Sequence, residues 1–334
     1  MAEQPVLSSN PNMSQNAARA IFIVFPGVHL LDISGAAHIV YEAVAAGAAI
    51  TLDFVSAHAG QTEATSTSGL GFSRLIDHSS IVLGPDDCVF VPGLESTYLT
   101  DAVFLESIEP FLGWLSAQQQ RGARICSICT GAFILAAAGL LDNTPCTTHW
   151  KFAGLLEERF PRVQLLRNRL FVQHGSIYTS AGVASGIDLA LYLLEQDYGT
   201  AFASAIAREV VVYLRRGEGD PQLSIFLQYR NHLEDRIHAV QEWLVQNFHE
   251  KHTVDDLAAI ANTSPRNLTR LFKDTTGITI GQYTEKLRVE RAIQLLRERV
   301  KLRTIASTCG LQSVNHLRDL FKKHTGVLPS EYTV

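Results

Sequence analysis

Leu268, Leu271-Phe272-Lys273, Thr276-Gly277 and Tyr283 recur as Leu317, Leu320-Phe321-Lys322, Thr325-Gly326 and Tyr332, each 49 residues further along the chain. Upstream of the first copy, Leu257-Ala258 leads through a turn at residues 262–264 into residues 265–274. Upstream of the second, Ile305-Ala306 leads through Cys309-Gly310-Leu311 into residues 313–324, with one more residue in the turn. Such an internal repeat marks two copies of one supersecondary unit. Each copy reads as helix, short turn, helix. Leu268, Leu271 and Phe272, like Leu317, Leu320 and Phe321, fall at helical spacing and predict an inward stripe on the second helix. Ser264 before Pro265 predicts an N-cap followed by proline at the first helical position, and Ser313 caps the second copy likewise.

The faces left outside carry Arg266, Asn267, Arg270 and Lys273 in one copy. In the other they carry Asn315, His316, Asp319 and Lys322, with Arg318 and Lys323 beside them. Asn and Arg bond bidentately to adenine and guanine edges, and Lys meets phosphate, so these nine residues other than Asp319 are the candidate DNA-binding set. Residues 284–299 read as one helix of roughly 24 Å at 1.5 Å per residue. A rigid spacer of that size suits two recognition helices about one DNA turn, ~34 Å, apart. Charge follows the same division. Residues 230–334 hold 16 Lys+Arg against 12 Asp+Glu, while residues 1–229 hold 12 against 21. A polyanion is therefore expected to meet the C-terminal part only.

Outward from the repeat, residues 215–221 are charged and rich in Gly and Pro, which marks a domain edge. Before them, short apolar runs alternate with helical patterns: strands at residues 20–25, 50–57, 88–91 and 123–128, and helices at 32–47, 102–120, 130–140, 182–198 and 201–214. This alternation predicts a parallel sheet covered by helices on both faces. The expected organisation is a disordered tail over 1–17, an α/β domain over 18–215, a linker over 216–232 and an all-α domain over 233–334. No apolar run reaches the ~18 residues of a bilayer span, and no membrane is expected as a partner. The polar start does not read as a signal peptide. Five cysteines, mostly within apolar segments, point to reduced thiols in the cytoplasm. Cys126-Ser127-Ile128-Cys129 has the spacing of a redox or zinc pair, but no second pair follows and its neighbours read as a buried strand, so no metal or cofactor is expected.

Cys129 stands between the apolar strand ending at Ile128 and a helix opening at Thr130-Gly131. Gly131 permits a tight turn there, and the helix N-terminus favours a thiolate. Asp32, early in the first crossover, and His149 are candidate neighbours at the C-terminal end of the sheet, where open α/β folds bind ligands. From the residues alone, a cysteine after a strand is more often packing than a nucleophile.

Two resemblances extend this reading. The layout Leu257-Ala258, Arg270–Lys273, Gly277, Tyr283, Leu287-Arg288, Ile305-Ala306, Cys309-Gly310, Phe321–Lys323, Gly326, Pro329 and Tyr332 resembles the AraC/XylS regulators. It departs from them at Ile280, Leu311 and Asp319. The last of these leaves no base or phosphate contact expected at its position. Leu31–Gly35, Val91-Pro92-Gly93, Ile128–Ala132 and Thr147-Thr148-His149-Trp150 resemble the ThiJ/PfpI superfamily, a class I glutamine-amidotransferase-like fold. Together they are similar to the GlxA-type subgroup of AraC regulators. The resemblance implies a parallel-sheet, flavodoxin-type sandwich followed by two helix-turn-helix units. It makes Cys129 the reactive-thiol equivalent and Asp32 its hydrogen-bonding acid, with Thr130 and His149 completing a ligand pocket.

Two function classes follow. In the first, the chain regulates transcription: it binds double-stranded operator DNA, senses a small nitrogenous metabolite in the old enzyme pocket, forms a homodimer through its N-terminal domain and takes RNA polymerase as a candidate partner. No catalytic residue is expected in that case. In the second, it is a cysteine-dependent enzyme, isonitrile-hydratase-like or an amidase, with a DNA-binding tail. Peptidase-like members carry His directly after the cysteine, whereas Thr130 follows here. A tandem DNA reader has no evident use on a metabolic enzyme, so the regulator is favoured.

Overall fold

The computed structural model describes residues 17–332 except 168, 183, 213–228, 230, 231 and 233. The expected tail at 1–17 and linker at 216–232 therefore fall almost entirely outside the described residues. The chain divides into two compact units, Met1–Gln222 and Leu223–Val334.

The first unit is built on a seven-stranded sheet. Its strands are β1 (Ala18–Val24), β2 (Ile50–Ser56), β5 (Ile76–Asp77), β6 (Cys88–Val91), β7 (Arg124–Ile128), β10 (Phe171–His174) and β11 (Ile177–Ser180). Their order is β10-β11-β7-β6-β1-β2-β5, with every pairing parallel except β10–β11. Two small two-stranded sheets, β3 (Glu63–Thr65) with β4 (Gly71–Ser73) and β8 (Pro145–Cys146) with β9 (Gln164–Leu165), lie outside it. Ile21, Ile23, Val89, Val91, Ile125 and Ile128 are fully or almost fully buried, as strands covered on both faces require. Helices α1 (Leu30–Ala45), α6 (Ala184–Tyr198) and α7 (Thr200–Glu209) pack together, as do α3 (Glu109–Gln120) and α4 (Gly131–Ala137).

Two expectations need correction. The sheet is not wholly parallel, because the hairpin turning at Gly175-Ser176 adds β10 as an antiparallel edge. The single helix expected over residues 102–120 is two, α2 (Ala102–Ser107) and α3, joined at the buried Ile108. Pro110 enforces the break: it lacks an N–H and its ring clashes with the carbonyl four residues back.

The second unit is helical throughout its described residues: α8 (Asp235–Asn247), α9 (Val254–Ile260), α10 (Pro265–Thr276), α11 (Ile280–Arg297), α12 (Leu302–Thr308) and α13 (Val314–Thr325). It holds two separate apolar cores. Leu257, Leu268, Phe272 and Tyr283 belong to one, and Ile305, Leu317, Leu320 and Phe321 to the other. The spacer α11 has 18 residues, about 27 Å long, and contributes to both. Each feature of the repeat has a physical cause. The Phe272–Tyr283 rings meet edge to face at 5.7 Å, and Phe321–Tyr332 do so at 5.3 Å. Gly277 and Gly326 end their helices at φ +78° and +82°. The Thr276 and Thr325 hydroxyls donate to the Phe272 and Phe321 carbonyls. Ser264 and Ser313 cap α10 and α13 through the amides of Asn267 and His316.

Candidate functional site

The C-terminal ends of β6, β7 and β11 meet at Cys129. Only Cys129 and Thr130 separate β7 from α4, and this short connection requires Cys129 to take φ +58°. A non-glycine residue there carries strain of about 1–3 kcal/mol, which the surroundings must overcome. Its amide donates to the Ser180 carbonyl at 3.0 Å, and its carbonyl accepts from the Thr148 hydroxyl at 3.0 Å. Two glycines complete the wall. A Cβ at Gly182, whose φ is +104°, would lie 2.6 Å from Cys129 Cα and 2.7 Å from its Sγ. A Cβ at Gly93 would lie 2.9 Å from both Cys129 Cβ and Thr130 Oγ1 and would overlap Asp32 Oδ2.

Asp32 lies in the first turn of α1, only 1% exposed, and accepts the Gly93 amide at 3.1 Å. His29, the residue before α1, does not cap that helix with its ring. Donor atoms of His29, Asp32 and Cys129 all lie within 4.8 Å of one another. The structure thus joins Asp32 to Cys129 and adds His29, which the sequence reading missed. The available signal was the His29-Leu30-Leu31-Asp32 spacing, which places both residues on one side of a helix start.

Thr130 and His149 each have further partners as well. The Thr130 hydroxyl accepts the Leu94 amide at 2.9 Å and donates to its carbonyl at 3.1 Å, and it also faces the Cys129 thiol. It ties the β6 loop to the elbow. His149 accepts the Lys151 amide and caps a short 3-10 turn. Burial lowers its pKa, aided by the nearby charges of Lys151 and His29.

The surroundings of Cys129 work against the thiolate that the helix N-terminus favours. Burial pushes the Cys129 thiol far above its usual range, and the Asp32 carboxylate pushes the same way. The Thr130 amide favours the anion but is outweighed. The two thiols of the Cys126–Cys129 spacing face different partners, since Cys126 Sγ sits 3.3 Å from Cys88 Sγ. An open groove of about 460 Å³ lies at the opposite ends of β7 and β11, beside Gln119, His174 and Ser176. None of the predicted site residues lines it.

In the second unit, Arg266, Arg270 and Lys273 project from α10 and Asn315, His316, Arg318 and Lys322 from α13, all exposed. Asn267 is half-buried and committed: it donates to Thr263 Oγ1 at 2.8 Å and accepts from Arg270 at 3.1 Å. It positions Arg270. Asn315 accepts from Arg318 in the same way at 3.4 Å. Lys323 is held by Glu285 of α11 at 2.7 Å, with His324 on the same carboxylate at 3.0 Å. It braces the spacer helix against α13.

Residues 18–196 match the model of the DJ-1/PfpI family, and residues 257–333 match a helix-turn-helix domain model. The HTH-type transcriptional regulator GbdR of Pseudomonas aeruginosa is 32% identical over 73% of this chain and 65% of its own length. The alignment thus spans just under two thirds of that relative. The HTH-type transcriptional regulator ArgR of the same species is 32% identical over 67% of this chain and 69% of its own length. Among solved structures, a ThiJ/PfpI family protein from Pseudomonas syringae shares the fold, with a TM-score of 0.51 at 20% identity, covering 78% of this chain and 97% of that one.

Proposed function

The chain belongs to the DJ-1/PfpI family, and from that premise we propose that it is a sequence-specific DNA-binding transcription regulator whose α/β unit binds a small effector at the Cys129 elbow. The observation that carries the reading is the duplicated helix-turn-helix unit. Two independent cores present exposed cations on equivalent helices, joined by one rigid spacer. The regulators matched by sequence support it. No helix among the described residues is long and apolar enough to cross a membrane, which agrees with a cytoplasmic chain. The effector is proposed to be a nitrogenous metabolite, and RNA polymerase is a further proposed partner.

Arg266, Arg270 and Asn315 are proposed to read bases, with Asn267 orienting Arg270. Lys273 and Lys322 are proposed to meet phosphates. Replacing Asn315 by Ala should cost about 1–3 kcal/mol and relax specificity at one operator position. Replacing Lys273 should weaken all sequences alike. Gel shifts against single-base operator variants check both. An unchanged specificity profile for Asn315→Ala would place the second recognition helix wrongly.

The enzyme alternative turns on Cys129. Burial and the Asp32 carboxylate both push the Cys129 thiol up, which works against a thiolate nucleophile. Cys129→Ser keeps nearly the same volume. It should leave operator affinity within about twofold, a change of under ~0.4 kcal/mol, and the parent should consume neither isonitriles nor amides. Turnover by the parent that vanishes in Cys129→Ser would replace the regulator reading with the hydratase-like one.

Homodimerisation through the α/β unit is proposed from the two-fold arrangement usual for regulators on DNA. Leu31, Tyr41 and Val44 give the outer side of α1 exposed apolar surface. Light scattering at micromolar concentration should report twice the chain mass, and a monomer would remove this part.

A further inference from the structure

We propose that His29, Asp32 and Cys129 form a binding site for a single divalent transition-metal ion of the zinc class. Imidazole nitrogen, carboxylate oxygen and thiol sulfur converge here within 4.8 Å of one another. In a tetrahedral site with bonds of about 2.0–2.3 Å, neighbouring donors stand about 3.3–3.8 Å apart. Up to about 1.5 Å of contraction brings them there, and the three donors share it unequally. Cys129 is fixed by its backbone bonds and by Gly93 and Gly182 packed against it. Asp32 is fixed by the Gly93 amide. His29 is half-exposed, and its ring is not engaged in capping α1. Two rigid donors and one adjustable donor suit a small ion.

Charge selects the ion. Asp32 and Cys129 are 1% and 3% exposed, so two anions at this spot would repel at low dielectric. A proton shared between them relieves the repulsion, and so does a divalent cation. With carboxylate, thiolate and neutral imidazole the complex is neutral, and a fourth position stays open. Calcium and magnesium prefer all-oxygen sets of six or more ligands and fit poorly. The sulfur–nitrogen–oxygen set favours zinc, cobalt or copper. On binding, the Cys129 S–H bond breaks, the sulfur–metal bond forms and the proton leaves to buffer. No electron is transferred.

Metal binding here stands independently of DNA binding, and operator gel shifts on the same samples separate the two. The full-length chain, reduced and stripped with chelator, is titrated with cobalt(II). The expected result is one equivalent bound, a thiolate-to-cobalt charge-transfer band in the ultraviolet, about one proton released per ion, and displacement by zinc. Cys129→Ala should abolish the band. His29→Ala, at a half-exposed position expected to fold normally, should weaken cobalt affinity at least about 10-fold. Cys309→Ala should change neither. Circular dichroism confirms that each variant is folded. Absence of the band at millimolar cobalt, or affinity unchanged by His29→Ala in folded protein, overturns the proposal.

Discussion

Operator binding by this protein is expected to fall by roughly 500-fold per chain when salt rises from about 50 to about 200 mM. Six cations stand exposed on the two recognition helices, Arg266, Arg270, Lys273, Arg318, Lys322 and Lys323, and the last of them is already paired with Glu285. Each phosphate neutralised releases a counterion, so five contacts give a log–log slope of about −4.5. The second unit should carry this slope by itself, since the basic excess lies there and residues 1–229 are acidic overall. Lys273→Ala should flatten the slope by about one. Lys323→Ala should flatten it less, because Glu285 already neutralises that amine at 2.7 Å. Fluorescence anisotropy across a salt series measures all three. A slope near zero, or binding carried by residues 1–212, would sink the assignment of the interface.

The tandem repeat was legible because every repeated letter answers to a repeated device. Phe272 and Phe321 need Tyr283 and Tyr332 as ring partners, and Gly277 and Gly326 need left-handed backbone. The strands β1, β2, β6 and β7 were legible as apolar runs. β10 and β11 were not, because FVQH and IYTS mix polar and apolar letters. Thr179 and Ser180 are fully buried all the same, their hydroxyls bonded to the Thr147 amide and the Ser127 carbonyl. Such burial depends on partners distant in sequence, and no local pattern reveals it. Asp32 and Cys129 could be paired by resemblance to a family. His29 could not, since its place beside them follows from how the β1–α1 turn packs on Gly93, whose carbonyl accepts the His29 amide at 2.9 Å. Asn267 was expected on the outer face as a base reader, and its bonds to Thr263 and Arg270 show why composition alone overstates the number of free readers.

The turns inside the two helix-turn-helix units differ in what they tolerate, and the difference predicts the largest single-residue effect on stability. Each turn places a left-handed residue two positions past its first helix: Asn262 at φ +46° and Gly310 at φ +67°. Asn262 is exposed. Gly310 faces backbone instead. A Cβ there would lie 2.7 Å from His249 Cα and from its carbonyl carbon and would overlap the carbonyl oxygen. That segment cannot retreat easily, because Arg288 of the spacer helix holds its far side, donating to the Phe248 carbonyl at 2.8 Å. Gly310 is thus where the second unit closes against the end of α8. Gly310→Ala should destabilise the second unit by more than about 4 kcal/mol, the range reached when overpacking and backbone strain combine. Such a domain has about 5–15 kcal/mol in total, so operator binding should be largely lost with it. Asn262→Ala, with strain of about 1–2 kcal/mol but no clash, is the matched control. Urea unfolding of both variants beside the parent measures the contrast. If Gly310→Ala costs no more than Asn262→Ala, the contact with His249 does not hold the two helix-turn-helix units in register.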